Sequence, residues 1–207
     1  MEMKRFLERL ASDAPTPGGG SASALAGALS ASLLAMTAGL SLKKGSLEKK
    51  EVQGIRKRAL VIQERLLRAV DEDAKSYEAV LRAFRLPRDT EKERSRRSRI
   101  IQKAYKEATH TPLLVCLLSI QLLQYSKTLI LKGNPNAMSD AAVAALLSNA
   151  ALSGGILNIR VNLVKGTEKR FIKKMETLIK GWSNIRNRSM QVIFRKLQNE
   201  GNPVPPW

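Results

Sequence analysis

Two acidic residues stand where a carboxylate could move protons. Asp140 follows the turn-rich run Gly133-Asn134-Pro135-Asn136 and opens an apolar, helix-periodic stretch. That position suits a helix N-cap and equally a half-buried proton carrier. The second lies in Val70-Asp-Glu-Asp-Ala-Lys-Ser-Tyr77, near the middle of a long helical pattern. Aspartate is a poor interior helix former. Asp73 shares a face with Tyr77 and Val80 by spacing of four and seven, and it could instead pair with Lys75 or Arg68 at the surface. Amide side chains are the next candidates. Asn134 and Asn136 could shape a turn or read the polar edge of a ligand. Asn158 and Asn162 lie four apart on one helical face of an apolar run, so a buried pair there must find partners, in another helix or in a ligand.

A third feature is structural in kind. Pro15 and Pro17 bracket Thr16 and stiffen the approach to Gly18, Gly19, Gly20 and Ser21. Three glycines permit close backbone approach. The helix that begins there points its free N–H groups and positive dipole end into whatever the loop faces. The run fits a tight turn before a buried helix and also an anion site. Walker-type phosphate chemistry lacks its lysine and its preceding strand.

Other chemistries are narrowed by what is scarce. The chain has one cysteine and one histidine among 207 residues. Cys116 sits in the apolar run Leu113–Leu118 and reads as a buried, inert thiol. Neither an internal disulfide, a cysteine zinc site nor a multi-histidine metal site can be assembled, so no metal is expected. The net charge is +18, with cations clustered in Lys43–Arg58, Lys92–Lys106 and Lys165–Lys196. Such a field attracts polyanions. No helix-turn-helix, zinc finger or aromatic–basic stripe accompanies it. The opening Met-Glu-Met-Lys carries no apolar signal core, and a cytoplasmic location is expected. Ala22–Leu42 and Ala141–Ile159 are uncharged, but they are rich in Ala, Ser, Gly and Asn. Small residues at four-residue spacing, such as Gly20, Ala24, Ala28 and Ser32, let partner helices approach closely, which favours buried helices or a subunit interface over a membrane span.

The elements that must position these residues read as helices throughout. Expected helices cover Met3–Ser12, Ser21–Leu42, Leu47–Phe84 with Ser46 as N-cap, Thr90–Thr109 with a Thr90/Glu93 capping box, and Pro112–Leu131 ended by a left-handed Gly133. A sixth, capped by Ser139 or Asp140, runs to Val164, with Gly154-Gly155 marking a close crossing or kink. Gly166-Thr167 separates it from a last helix over Glu168–Asn199. The expected fold class is all-α, a single-domain up-and-down helical bundle with long antiparallel helices over residues 1–200, followed by a Pro-rich tail at 201–207.

Read in order, these pieces resemble one family. Leu10-Ala-Ser-Asp-Ala-Pro-Thr-Pro-Gly-Gly-Gly-Ser21 and the Ala/Gly-rich helix through Met36 are similar to the opening of the cyclodeaminase/cyclohydrolase family of folate enzymes. Asp73-Ala74 with Tyr77 and Val80, Leu86-Pro87, Thr90-Glu91 with Arg97 and Ile101-Gln102, Pro112-Leu113, Gly133-Asn134-Pro135-Asn136 with Ser139-Asp140, and Asn158 with Val161-Asn162-Leu163 continue the match from about Phe6 to Phe171. Two places depart from it: Gly39 where the family usually has asparagine, and Lys165-Gly166-Thr167 where it tends to carry an acid.

The resemblance implies chemistry at the one-carbon unit of tetrahydrofolate. A cyclodeaminase closes a formimino group onto N10 and releases ammonia; a cyclohydrolase adds water to the methenyl carbon between N5 and N10. It also implies Asp73 and Asp140 as a catalytic proton-handling pair. Pro17, Gly18, Gly19, Gly20, Ser21, Tyr77, Arg97, Lys132, Asn134, Asn136 and Asn158 would bind substrate, and no cofactor is needed beyond the tetrahydrofolate itself. A homodimer or higher homo-oligomer is expected, since long small-residue helices invite symmetric pairing. A folate's glutamate carboxylates would suit the glycine loop and the positive field. The alternative is a non-enzymatic basic module that binds nucleic acid or another polyanion.

Overall fold

The computed structural model describes residues 2–44, 46–164 and 168–201. Its helices are α1 (Met3–Leu10), α2 (Gly19–Ser41), α3 (Lys49–Phe84), α4 (Glu91–Ala108), α5 (His110–Lys132), α6 (Met138–Val164) and α7 (Lys169–Asn199), with a 3-10 turn at Pro135–Ala137. This is the all-α bundle that the periodicity implied. The breaks expected at Gly45 and at Gly166-Thr167, and the tail beyond Gly201, lie outside the described residues.

α2 forms the centre and packs on α3, α5 and α6; α7 lies over α5 and α6. Small residues allow it. A Cβ on Gly27 would stand 2.9 Å from Leu66 on α3 and 3.5 Å from Ala151 on α6. Ser30 donates to the Ala144 carbonyl at 2.8 Å and meets the Ser148 hydroxyl at 2.7 Å, so the polar atoms of the α2–α6 seam satisfy one another. α3 and α6 both run antiparallel to α2. Gln63 meets Ser32 and Val70 meets Ser21 on one side, while Ala144 meets Ser30 and Gly154 meets Ser23 on the other. Gly155 marks the close crossing expected of it. A Cβ there would stand 2.7 Å from the Cys116 sulfur on α5, and α6 runs through the glycine pair as one helix.

Several helix ends differ from the sequence reading. The Thr90/Glu93 capping box forms as expected, and its hydrogen bonds hold the Glu93 carboxyl below the usual range. Ser46 does not cap α3; its amide and hydroxyl both donate to the Lys132 carbonyl, at 3.0 and 3.2 Å, tying the α2–α3 loop to the end of α5. Gly133 is extended (φ −78°, ψ −163°) rather than left-handed. It is glycine for space, since a Cβ would strike the Leu129 carbonyl and come within 3.0 Å of the Ser41 hydroxyl. Neither Ser139 nor Asp140 caps α6. The Asn134 side chain accepts from the Asn136 amide and starts the 3-10 turn that leads straight into α6, leaving Asp140 in its first turn.

Gly19–Ser41, Glu91–Lys132 and Pro135–Val164 are helical stretches long and apolar enough to cross a bilayer. Here they turn much of that surface on one another, with 61% of the most apolar window in Gly19–Ser41 buried. What stays outside is also apolar: Leu29, Met36 and Leu40 on α2, Leu60 and Leu67 on α3, and Val143, Leu157 and Val161 on α6 are all exposed.

Candidate active site

The glycine loop leads α2 into the bundle with Gly18 extended at its N-cap and no side chain of the loop closing the helix end. Asp73, arriving from α3, performs that role. Its carboxylate Oδ2 lies 3.1 Å from the Ser21 hydroxyl, which also reaches the Val70 carbonyl at 2.9 Å, and it is hydrogen-bonded by the Ser21 amide as well. A Cβ on Gly20 would overlap the Asp73 carboxyl group. The close approach promised by the three glycines is therefore spent on the chain's own carboxylate. The anion at this helix end is Asp73, which corrects the expectation that the loop receives a substrate's glutamate tail.

Burial pushes the Asp73 pKa above its ordinary value, and the two Ser21 hydrogen bonds pull the other way without cancelling it. A carboxyl so placed takes up a proton at higher pH than a surface aspartate does.

Asp73 opens onto a cleft of about 150 Å³. The loop residues Pro15, Thr16, Gly18, Gly19 and Gly20 form one wall, Ser76 and Tyr77 follow Asp73 along α3, and Asn158 and Asn162 close it from α6. Asn158 donates to the Gly154 carbonyl at 2.8 Å, and Asn162 donates to the Ala108 carbonyl at 3.0 Å. Those bonds orient both amides, and among the described residues no donor meets either Oδ1. The cleft thus offers one partly desolvated carboxylate and two fixed carbonyl oxygens. Among the described residues Asp73 is the only lining side chain that can carry a formal charge, in a chain of net charge +18. Such a set favours a ligand that presents N–H groups and positive charge.

Of the residues singled out from sequence, this end of the bundle gathers Gly18, Gly19, Gly20, Ser21, Asp73, Tyr77 and Asn158, with Pro17 in the same loop. The others lie elsewhere. Arg97 donates to the Phe84 carbonyl at 3.0 and 3.3 Å and stacks over the Phe84 ring at 5.4 Å, closing the α3–α4 hairpin. Lys132, Asn134, Asn136 and Asp140 sit at the opposite end, where Asn134 bonds Leu40 and Ser41 at the C-terminus of α2. Asp140 and Asn158 share α6, 18 residues or about 27 Å apart. Asp73 and Asp140 therefore do not act as a pair on one carbon within a single chain. Ser76, Thr16 and Asn162 join the cleft although sequence had not placed them among its binders. Ser76, one helical turn after Asp73, could have been found by spacing alone.

The model of the formiminotransferase-cyclodeaminase family matches residues 2–181. Methenyltetrahydrofolate cyclohydrolase of Methylorubrum extorquens is 34% identical over 204 residues, covering 94% of this chain and 97% of that one. Formimidoyltransferase-cyclodeaminase of Sus scrofa is 28% identical over 173 residues, 82% of this chain but 32% of that one, so the chain spans about a third of the animal protein. The crystal structure of formiminotetrahydrofolate cyclodeaminase from Thermotoga maritima superposes with a TM-score of 0.85 at 26% identity, covering 96% of each chain.

Proposed function

The chain belongs to the formiminotransferase-cyclodeaminase family, and from that premise we propose that Asp73 handles the proton in a reaction at the one-carbon bridge of tetrahydrofolate. The protein is a folate one-carbon enzyme of the cyclodeaminase or cyclohydrolase type. The hydrolytic reaction is the reading favoured here, because the relative matched over nearly its whole length at 34% identity is named a cyclohydrolase.

The observation that carries the assignment is the acceptor-rich cleft with Asp73 as the one charge among its described lining residues. The methenyl bridge is an amidinium cation. The Asp73 carboxylate and the Asn158 and Asn162 carbonyls complement it, while the folate's own anions are left to the basic exterior. In hydrolysis, Asp73 takes a proton from the attacking water as its oxygen bonds the methenyl carbon. It then returns the proton to N5 as the C–N5 bond breaks, while the carbinol hydroxyl gives its own proton to water as the formyl C=O forms on N10, so one proton is released overall. In the deaminating direction the same carboxyl would carry the N10 proton to the departing ammonia. Neither step calls for a group beyond substrate, water and side chains.

The second part of the proposal is a homodimer that completes the site. The cleft of one copy is well below the roughly 300 Å³ at which ligand pockets begin. The exposed apolar face on α2, α3 and α6 runs from the Asp73 end to the Asp140 end. A two-fold axis crossing α2 near Ser30 would set the glycine end of one copy against the Asn134–Asp140 end of its partner. Lys132, Asn134, Asn136 and Asp140 of the partner subunit would then face the cleft they cannot reach in one chain.

Turnover decides the reaction. Loss of methenyltetrahydrofolate absorbance on adding enzyme, with no ammonia from formiminotetrahydrofolate, is the expected result. Ammonia release would assign the deaminating reaction, and turnover of neither substrate would refute the reading.

A further inference from the structure

The chemistry in the cleft does not account for how the charge of +18 is arranged on α7. On α7 the surplus cations are ordered. Lys169, Lys173, Lys180, Arg188 and Arg195 lie on one outward stripe at steps of three and four, with Thr177, Asn184 and Gln191 in the positions between them. All eight are exposed, and none is acidic. The stripe is about 39 Å long. Among the described residues none of the five cations belongs to an ion pair, while the nearby acids Glu176 and Glu200 are held by Arg160 and Lys196. The opposite face of α7 buries Met175, Ile179, Trp182 and Ile193, so the row is fixed on a rigid element. The family model stops at residue 181, yet the stripe continues unbroken to Arg195.

A row of unpaired cations with no acid among them costs self-repulsion and contributes nothing to the fold. It complements a rigid line of negative charge. We propose that the outer face of α7 docks the phosphate backbone of double-stranded nucleic acid without reading its sequence. The length matches about one duplex turn, roughly 34 Å. The stripe carries no aromatic ring on which unpaired bases could stack, which argues against a single strand. It carries no apolar side chain to enter a lipid layer, which argues against a membrane surface.

The test is fluorescence anisotropy of a random-sequence duplex of about 20 base pairs with the full chain, between about 50 and about 300 mM KCl. Five phosphate contacts predict a slope of about −4 to −5 in log K against log salt. The variant Lys173→Ala/Lys180→Ala/Arg188→Ala/Arg195→Ala should lower that slope to about −1 and weaken binding at least about tenfold at 100 mM salt, roughly the loss of four counterion-release contacts. Its methenyltetrahydrofolate turnover and its melting temperature should stay at the wild-type values. Three results overturn the proposal: equal duplex affinity of variant and wild type, tighter binding of a single strand of the same length, or capture by phosphatidylserine vesicles without any duplex binding.

Discussion

Replacing Asp73 with asparagine keeps the shape of the side chain and removes its proton. The amide Oδ1 can still accept from the Ser21 hydroxyl and amide, so the N-terminus of α2 keeps its cap. Loss of general acid–base help costs about 10²- to 10⁴-fold in kcat/KM, equivalent to about 3 to 5 kcal/mol of barrier. Losing the counter-charge to the amidinium acts in the same direction. Stability moves oppositely. Burial raises the Asp73 pKa above 3.8, against the pull of Ser21. A carboxyl with a higher pKa in the folded state stabilises the fold while protonated. That contribution is whole below the unfolded value of about 3.8 and is lost as pH rises through the folded one. At pH 7 the wild type therefore holds a desolvated charge that Asp73→Asn does not. The variant should melt no lower than wild type at pH 7, and the two should converge toward pH 3. Wild-type kcat/KM should also fall on its acid side above the pH of an ordinary aspartate, because the base is the ionised form. Methenyltetrahydrofolate absorbance and calorimetry across pH read both effects. Activity within about threefold of wild type, or a marked loss of Tm at pH 7, would refute the reasoning.

Three further outcomes follow from the packing. Gly155→Ala puts a methyl 2.7 Å from the Cys116 sulfur and 3.2 Å from the Pro112 carbonyl, and should cost about 1–3 kcal/mol in a denaturant melt. Gly54→Ala, with nothing within 4 Å, should instead stabilise α3 by about 0.5–1 kcal/mol; equal shifts for both would show that the α5–α6 crossing is not tight. Cys116, buried and with its thiol pushed up to about 12, should leave a chromogenic disulfide reagent unreacted until the chain is unfolded. Leu29→Arg, on the exposed face of α2, should convert a dimer to a monomer in light scattering and abolish turnover with little change in helicity. A wild-type monomer with full activity would end the composite-site reading.

The sequence was most informative where structure is local. The Thr90/Glu93 capping box, the helix spans and the burial of Cys116 depend on neighbours within a turn or on an apolar run, and these match. It misled where a helix end is finished by another element. Ser46 looks like a cap but is drawn to Lys132. Gly133 looks like a left-handed terminator but is glycine to clear Leu129. The glycine loop shows the same limit at the site. Its composition reveals that something must approach α2 closely. Nothing local reveals that the approaching group comes from α3, 52 residues along the chain from Ser21.

The separation of Asp140 from Asp73 was nonetheless implicit in the pattern. Once Asp140 and Asn158 are placed on one unbroken helix, their spacing of about 27 Å follows from the rise per residue alone. An antiparallel α2 then forces the rest. The residue pairs that put Asn158 beside Gly19 also put Asn134 beside Leu40, at the other end of a helix about 33 Å long. A set of candidates matched in order along the chain can thus form one site only if the fold brings its two ends together. In the dimer proposed above, a second copy would bring them together by symmetry, and the uncharged outer stripe of α2 is the surface on which that pairing would be made. Asp140→Asn therefore separates the alternatives. In the composite site it lowers turnover without loosening the dimer, whereas a residue at an idle end of the bundle would leave both unchanged.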